Sequence, residues 1–356
     1  MTNKEKLLVF LSMFELSVQK QEELLSHLKE QTIENLLDSD ECVNLLSAET
    51  FHKMVKSYDR RAFENSLSNM ENAGIKLLSY ENEDYPKRLK DLPERPLLLY
   101  AKGDLSLLKQ KCFAIVGTRM PSNYGKLVTE KFVSTLAEAG LVIVSGLCYG
   151  VDEIAHRKTL EVGGKTIAIV GSGFNNIYPS TNTPLSKEIE EKGLLLSEYP
   201  PSFKARRYTF PKRNRIIVGI SDGVLITEAG FKSGTIHTKE YAIEFGRDIF
   251  AVPGNINNSK SDLPNHIIKT GQAQCVTEPE DIIEIYGLEK KLAEKKVVSV
   301  NMDEQIVIDL LKDGEKDFEY LLEKSQISVK NLNVCLTTLE IRGLIRKLPG
   351  QFYAAK

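Results

Sequence analysis

Cys112–Arg119 reads CFAIVGTR: five consecutive apolar residues that end on a glycine and a basic residue. A strand with one wet face alternates apolar and polar side chains, so an unbroken apolar run of this length predicts a strand buried on both faces. Five more runs share the texture: Leu141–Val144 (LVIV), Thr166–Val170 (TIAIV), Leu194–Ser197 (LLLS), Gly223–Thr227 (GVLIT) and Asp248–Val252 (DIFAV). Amphipathic segments of helical length separate them, at Asn123–Ala139, Gly150–Val162, Thr183–Lys192, Phe210–Ile220 and Thr235–Phe245. Gly140, Gly193 and Gly246 stand where those helices should stop. Strand and helix alternate, so residues 110–287 are expected to form an α/β core, a Rossmann-like doubly wound mostly parallel sheet.

The flanks have other textures. Residues 1–74 carry apolar residues at helical spacing, as in Leu7, Leu8, Leu11 and Phe14 and then Leu24, Leu25 and Leu28, which predicts a small helical domain, SAM-like in class. Residues 75–109 form a connector expected to pack on the core, with two short strand-like runs around a proline-rich stretch. A charged linker, 288–296, leads to residues 297–356, where three helical periods and a hairpin around Pro349-Gly350 predict a winged helix-turn-helix.

Composition narrows the function classes. The chain has 356 residues, is 42% hydrophobic and carries a formal net charge of only -2. Its N-terminus is polar and its apolar runs are strand-sized, so no signal peptide or membrane span is expected, and a cytoplasmic protein follows. Cys42, Cys112, Cys148, Cys275 and Cys335 form no CxxC pair, and the histidines show no metal-binding spacing, so neither a disulfide framework nor a metal is expected.

Against that near-neutral background, Phe203–Arg215 (FKARRYTFPKRNR) gathers six basic residues, Lys204, Arg206, Arg207, Lys212, Arg213 and Arg215, around Phe203, Tyr208 and Phe210. Cations neutralise phosphates and aromatic faces stack bases, which is the physical recipe for holding single-stranded nucleic acid. A solvated basic loop is the plainer reading of the segment taken alone. Glycine-rich loops follow four of the strands: Gly117-Thr118-Arg119, the Ser145-Gly146 turn, Gly171-Ser172-Gly173, and Glu228 to Gly230 with Ser233-Gly234-Thr235. In a parallel sheet such loops emerge together at the carboxyl edge, where ligands bind, and glycine lets backbone amides approach an anion. The edge reads as a phosphate track.

Sharper motifs fail. The dinucleotide fingerprint breaks at Asn176, and the apparent P-loop at Gly164-Lys165-Thr166 runs from helix into strand with Thr159 in the place of its first glycine. Asp152 and His156 lie four apart on one helix and read as structural ties between helix and loop in preference to an acid-base pair. Glu228 is expected to pair with Arg213 or Arg215, one of which grips DNA while the other ties the sheet together.

The ordered series VGTRMPSNYG, VSGLCYGVDEIAH, TIAIVGSGFNNIYP, LLSEYPP, FPKRNRIIVGIS, TEAGFKSGTIHT and GRDIFAVPGN, spanning Tyr85 to Tyr286, closely resembles the bacterial DNA-processing protein A family, also called DprA or Smf. The resemblance implies a non-catalytic, cofactor-free homodimer that binds single-stranded DNA, protects incoming strands in natural transformation and loads the RecA recombinase onto them. Carried over by motif, the strand-binding positions are Arg119, Ser145, Gly146, Gly171, Phe210, Lys212, Arg213, Asn214, Ser233, Gly234 and Thr235, with Lys204, Arg206, Arg207 and Arg215 as secondary charge. The latter part of the Rossmann-like unit is expected to supply the dimer surface. Cys148, Tyr149 and the segment DLPNHIIKTGQAQ, with Gln272, depart from the family pattern. Two other readings remain: a nucleotide phosphoribohydrolase resembling the lysine-decarboxylase-like enzymes, whose PGGxGTxxE signature is incomplete in TEAGFKSGTIHTKE, and a winged-helix binder of duplex DNA.

Overall fold

The computed structural model describes residues 1–90, 92–288, 301–312, 314–341, 343–348 and 350–355. The chain divides into two compact units, 1–291 and 292–356. Apart from Leu288, the linker expected over 288–296 lies outside the described residues.

The first unit opens with six short helices, α1 (Asn3–Ser12), α2 (Val18–His27), α3 (Ile33–Asp38), α4 (Asp40–Leu45), α5 (Ala48–Ser57) and α6 (Arg60–Asn72). Each begins behind a residue whose side-chain oxygen accepts a first-turn amide: Thr2, Ser17, Thr32, Ser39, Ser47 and Asp59. Their apolar faces bury Leu7, Leu8, Phe10, Leu24, Leu36 and Met54 in a core that also takes in Leu98 and Tyr100 of the second strand. The helical front and the connector therefore share one core.

Nine strands build the sheet: β1 (Lys76–Ser79), β2 (Leu98–Gly103), β3 (Cys112–Val116), β4 (Val142–Ser145), β5 (Thr166–Val170), β6 (Leu194–Ser197), β7 (Gly223–Ile226), β8 (Asp248–Ala251) and β9 (Gln274–Cys275). Their order is β1-β2-β6-β5-β4-β3-β7-β8-β9. β3 to β9 are parallel, as the unbroken apolar runs predict, while the connector strands β1 and β2 extend the sheet antiparallel beyond β6. After the four-residue α7 (Lys87–Lys90), the crossover helices are α8 (Asn123–Glu138), α9 (Val151–Glu161), α10 (Thr183–Lys192), α11 (Thr209–Ile220), α12 (Thr235–Glu244) and α13 (Asp262–Lys269), and α14 (Pro279–Ile285) follows the last strand. From β3 the chain builds outward through β4, β5 and β6, then returns by α11 to place β7 on the opposite side of β3. The crevice at the carboxyl ends of β3 and β7 is the topological switch point, where open α/β sheets bind ligands.

The second unit comprises α15 (Met302–Leu311), β10 (Lys316–Asp317), α16 (Phe318–Ser325), α17 (Val329–Ile341), β11 (Ile345–Leu348) and β12 (Phe352–Ala355), around a core of Val307, Leu311, Leu321, Leu332, Leu336 and Leu339. Three helices and a terminal hairpin agree with the sequence pattern. The short β10, which pairs with β12, was not legible because its two residues carry no apolar period.

Candidate nucleic-acid interface

Glycine-loop backbone and the starts of two helices form walls of a cavity of about 740 Å³ at the switch point. Gly117, Thr118 and Arg119 line it after β3, Phe210, Arg213 and Asn214 from the first two turns of α11, and Ser233, Gly234 and Thr235 from the start of α12. Gly150 closes the loop after β4 with a positive φ of 77°, and any Cβ there would collide with the backbone of Thr118 and Arg119.

The arginine at the cavity mouth is the first of the sequence candidates. Arg119 is exposed, and its guanidinium carbon lies 5.3 Å from the centre of the half-buried Phe210 ring. Arg207, expected to be flanking charge, is also exposed and lines the cavity, as do Lys232 and Lys260 from the far wall. Lys212, expected at the centre of the grip, is not among the lining residues. It sits 3.9 Å from Glu198 with a third of its side chain exposed. A one-dimensional cluster of charge shows no azimuth, and one turn of helix sends these cations to different sides.

Arg213 and Arg215, one of which was expected to reach DNA, are both engaged by protein groups. Both are buried, with 3% and 1% of their surface exposed. Arg213 Nη1 donates to the carbonyls of Gly146, at 2.5 Å, and Ile169, and Nη2 lies 3.5 Å from Cys148 Sγ. It therefore ties the loop after β4 to the end of β5 beneath the cavity. Arg215 donates to Glu198 at 2.5 Å, so Glu228 has no arginine partner of the expected kind. Glu228 instead accepts from the Ser122 amide at 2.8 Å and the Ser122 hydroxyl at 2.6 Å, joining the β7 loop to the start of α8.

Ser145, Gly146 and Gly171, expected on the strand-binding surface, are likewise buried. The Ser145 hydroxyl donates to the Ile115 carbonyl at 2.7 Å, pinning β4 to β3. The Gly171 carbonyl accepts from the Thr209 hydroxyl at 2.6 Å, and the bare Cα leaves room for Phe210. Asn214 reaches across the cavity, its amide donating to the Gly234 carbonyl at 3.4 Å. The Ser233 and Thr235 hydroxyls lie 2.9 Å apart at the head of α12.

Asp152 and His156 are structural, as their spacing suggested, though each ties to a different neighbour. Burial pushes the Asp152 carboxyl above the usual carboxylate range, and the nearby Arg213 guanidinium opposes that shift. The carboxylate accepts from the Cys148 amide at 3.3 Å. His156 Nδ1 is 2.7 Å from the Thr166 hydroxyl, which itself donates to the Ile143 carbonyl, so Nδ1 carries the proton and donates. Burial, reinforced by Arg213, depresses the imidazole to about 3 and keeps it neutral. Among the described residues no three His, Cys, Asp or Glu side chains gather as a metal set. No helix among them is long and apolar enough to cross a membrane.

The basic segment's first half faces the helical front. Arg206 pairs with Glu15 at 2.8 Å, the Tyr208 hydroxyl donates to the same carboxylate, and Phe203 stacks on Tyr199 with centroids 4.5 Å apart. Sequence reasoning missed Glu15, because nothing in a helix-joining loop signals a partner 191 residues away.

A Rossmann-like sheet with a cationic, aromatic-sided cleft at its switch point defines a protein of the doubly wound α/β class. Residues 76–287 match the model of the DNA recombination-mediator protein A family, and the chain belongs to that family. It is 36% identical over 306 residues to Protein Smf of Escherichia coli, covering 83% of this chain and 82% of the relative. The X-ray structure of DNA processing protein A (DprA) from Streptococcus pneumoniae superposes with a TM-score of 0.69 at 35% identity, over 81% of this chain and 99% of that one. DNA processing protein A from Helicobacter pylori, whose structure is described in terms of a unique single-stranded DNA binding mode, superposes with a TM-score of 0.55 at 34% identity, over 60% and 97% of the two chains.

Proposed function

We propose that this chain binds single-stranded DNA along the carboxyl edge of its sheet, protects incoming strands during natural transformation in the cytoplasm and loads the RecA recombinase onto them. The observation that carries the binding step is the convergence of exposed Arg119 and Arg207 with the half-buried Phe210 ring on one cleft at the switch point. Phosphates meet the two guanidinium groups and the hydroxyls of Ser233 and Thr235, while a base stacks near Phe210. The Helicobacter pylori relative's single-stranded DNA binding mode supports the same ligand.

Ser145, Gly146, Gly171, Arg213 and Arg215 act from beneath, holding the loops that present the surface. Lys204, Arg206 and Lys212 add charge that steers the strand. The exposed Ile243 and Ile256 support a homodimer surface in the latter part of the unit. The second unit is read as a winged helix. Its third helix exposes Asn331, Asn333 and Thr337 beside a single cation, Lys330, which is little charge for reading duplex phosphates. A hydrolase reading asks Glu228 to be a general base. With 1% of its surface exposed and its oxygens taken by Ser122, that carboxylate supports a structural part instead.

The test pairs Arg119→Glu/Arg207→Glu with deletion of residues 292–356, each titrated with single strands over a range of salt. Each phosphate contact contributes about 0.7 to the slope of log affinity on log salt, so the double variant is expected to lose about 1.4 of slope and the deletion to keep single-strand affinity. A folded double variant with unaltered affinity and slope, or loss of affinity confined to the deletion, refutes the site.

A further inference from the structure

Two flat groups adjoin the Phe210 ring at the β5 side of the cleft: the Arg119 guanidinium and the Tyr178 ring. Arg119 is 5.3 Å from the Phe210 centroid, and the Tyr178 centroid is 5.5 Å from that of Phe210 at an interplanar angle of 57°. Arg119 and Phe210 line the cavity, whereas Tyr178 stands outside it, with 50% of its surface in solvent. Leaving an aromatic ring half wet forgoes hydrophobic stabilisation that a small residue would not forgo.

The loop that carries Tyr178 is fixed by its neighbours. The Gly173 amide donates to the Phe203 carbonyl at 2.9 Å and the Asn175 amide to that of Pro201 at 3.0 Å. The Asn176 side chain donates to the Ser202 carbonyl at 2.9 Å. The Tyr178 ring is thus presented on a backbone already ordered, so a flat ligand laid on it costs little further entropy. Two other half-exposed tyrosines in this unit have hydroxyl partners: Tyr124 donates to the Pro253 carbonyl at 2.7 Å and Tyr208 to Glu15. Tyr178 is instead positioned by its ring contact with Phe210.

We infer that Tyr178 is a base-stacking residue, and that the single strand leaves the switch-point cleft across Phe210 and over the loop after β5, toward the β6 side of the sheet. The inference rests on the binding reading above and assigns the strand a direction of exit that the cavity alone does not. The ligand is a nucleobase of a single strand, of any sequence, because every base has a π-face.

The experiment uses the full chain and compares Tyr178→Ala, Tyr178→Leu and Tyr178→Phe on an oligothymidylate and on an abasic strand of the same length, with melting temperatures measured in parallel. A stacked base lost to alanine is expected to weaken oligothymidylate binding about tenfold, with leucine similar, phenylalanine within about twofold of the parent, and the salt slope unchanged. On the abasic strand all four proteins should bind alike. Parent-like binding by Tyr178→Leu, or an equal loss on both strands, overturns the inference. If that happens while Arg119→Glu/Arg207→Glu still loses affinity and slope, the phosphate track stands and only the stacking role falls. If the double variant also binds as the parent does, the binding reading itself has failed.

Discussion

Replacing Arg213 with methionine separates a buried tie from a phosphate contact. The substitution keeps most of the side-chain volume but removes the donors to the Gly146 and Ile169 carbonyls and the countercharge opposite the buried Asp152 carboxyl. Each orphaned buried carbonyl costs about 1–3 kcal/mol, in a non-additive way, and loss of the nearby charge adds to this. A total near 4 kcal/mol, at roughly 2–4 °C per kcal/mol for a domain of this size, predicts a melting temperature about 8–16 °C lower. Asp152 sets the pH dependence. Its folded pKa is already raised by burial and rises further without Arg213, so the stabilisation is present below the unfolded carboxylate pKa and is lost as pH rises through the folded one. The deficit of Arg213→Met should therefore shrink toward acid pH, and adding Asp152→Asn should recover part of it at neutral pH. Differential scanning calorimetry across the acid to neutral range reads both. The salt slope of strand binding should not change. A variant that melts like the parent yet loses about 0.7 of salt slope would return Arg213 to the DNA and refute the buried role.

Two further predictions concern groups that the strand does not touch in the proposed site. His156 has its pKa depressed to about 3 by burial, with an ordinary value of 6.5. The neutral ring stabilises the fold above the unfolded pKa, and that stability is lost as pH falls from the ordinary value through the folded one, at about 1.4 kcal/mol per pH unit. His156→Gln should flatten the acid limb of the melting curve over that window, and an unchanged limb would contradict burial of the neutral ring. Glu15→Gln removes the partner of Arg206 and Tyr208. Arg206 is more than half exposed, so stability should move by no more than about 1 kcal/mol, while strand affinity at low salt rises a few-fold with a slope steeper by up to about 0.7. Unaltered binding would mean that Arg206 meets no phosphate.

The fold was legible because burial on both faces of a strand leaves a local signature. CFAIV, LVIV, TIAIV, LLLS, GVLIT and DIFAV each became a parallel strand within a residue or two of the expected bounds, and the glycine loops gathered at their carboxyl ends. The two connector strands were recognisable as strands. Their antiparallel union with β6 was not, because pairing partners are chosen across the chain and leave no period in either segment. The site divided in the same way. FKARRYTFPKRNR announced nucleic acid by composition, while the assignment of each cation depended on where one turn of α11 pointed it.

Sequence by itself determined the classes: a parallel α/β core, a helical front, a helix-and-hairpin tail, and glycine-rich loops at one edge of the sheet. These follow from periodicity, glycine placement and local charge, all of which act within a few residues. Tertiary structure alone decided that Arg207 opens onto the cleft while Arg213 and Arg215 are buried and held by protein groups, that Glu228 joins the β7 loop to a helix start, and that Glu15 of the front holds Arg206. Side-chain azimuth and solvent access are set by what packs against a residue from distant parts of the chain, and a guanidinium written in sequence is the same whether it meets a carbonyl or a phosphate.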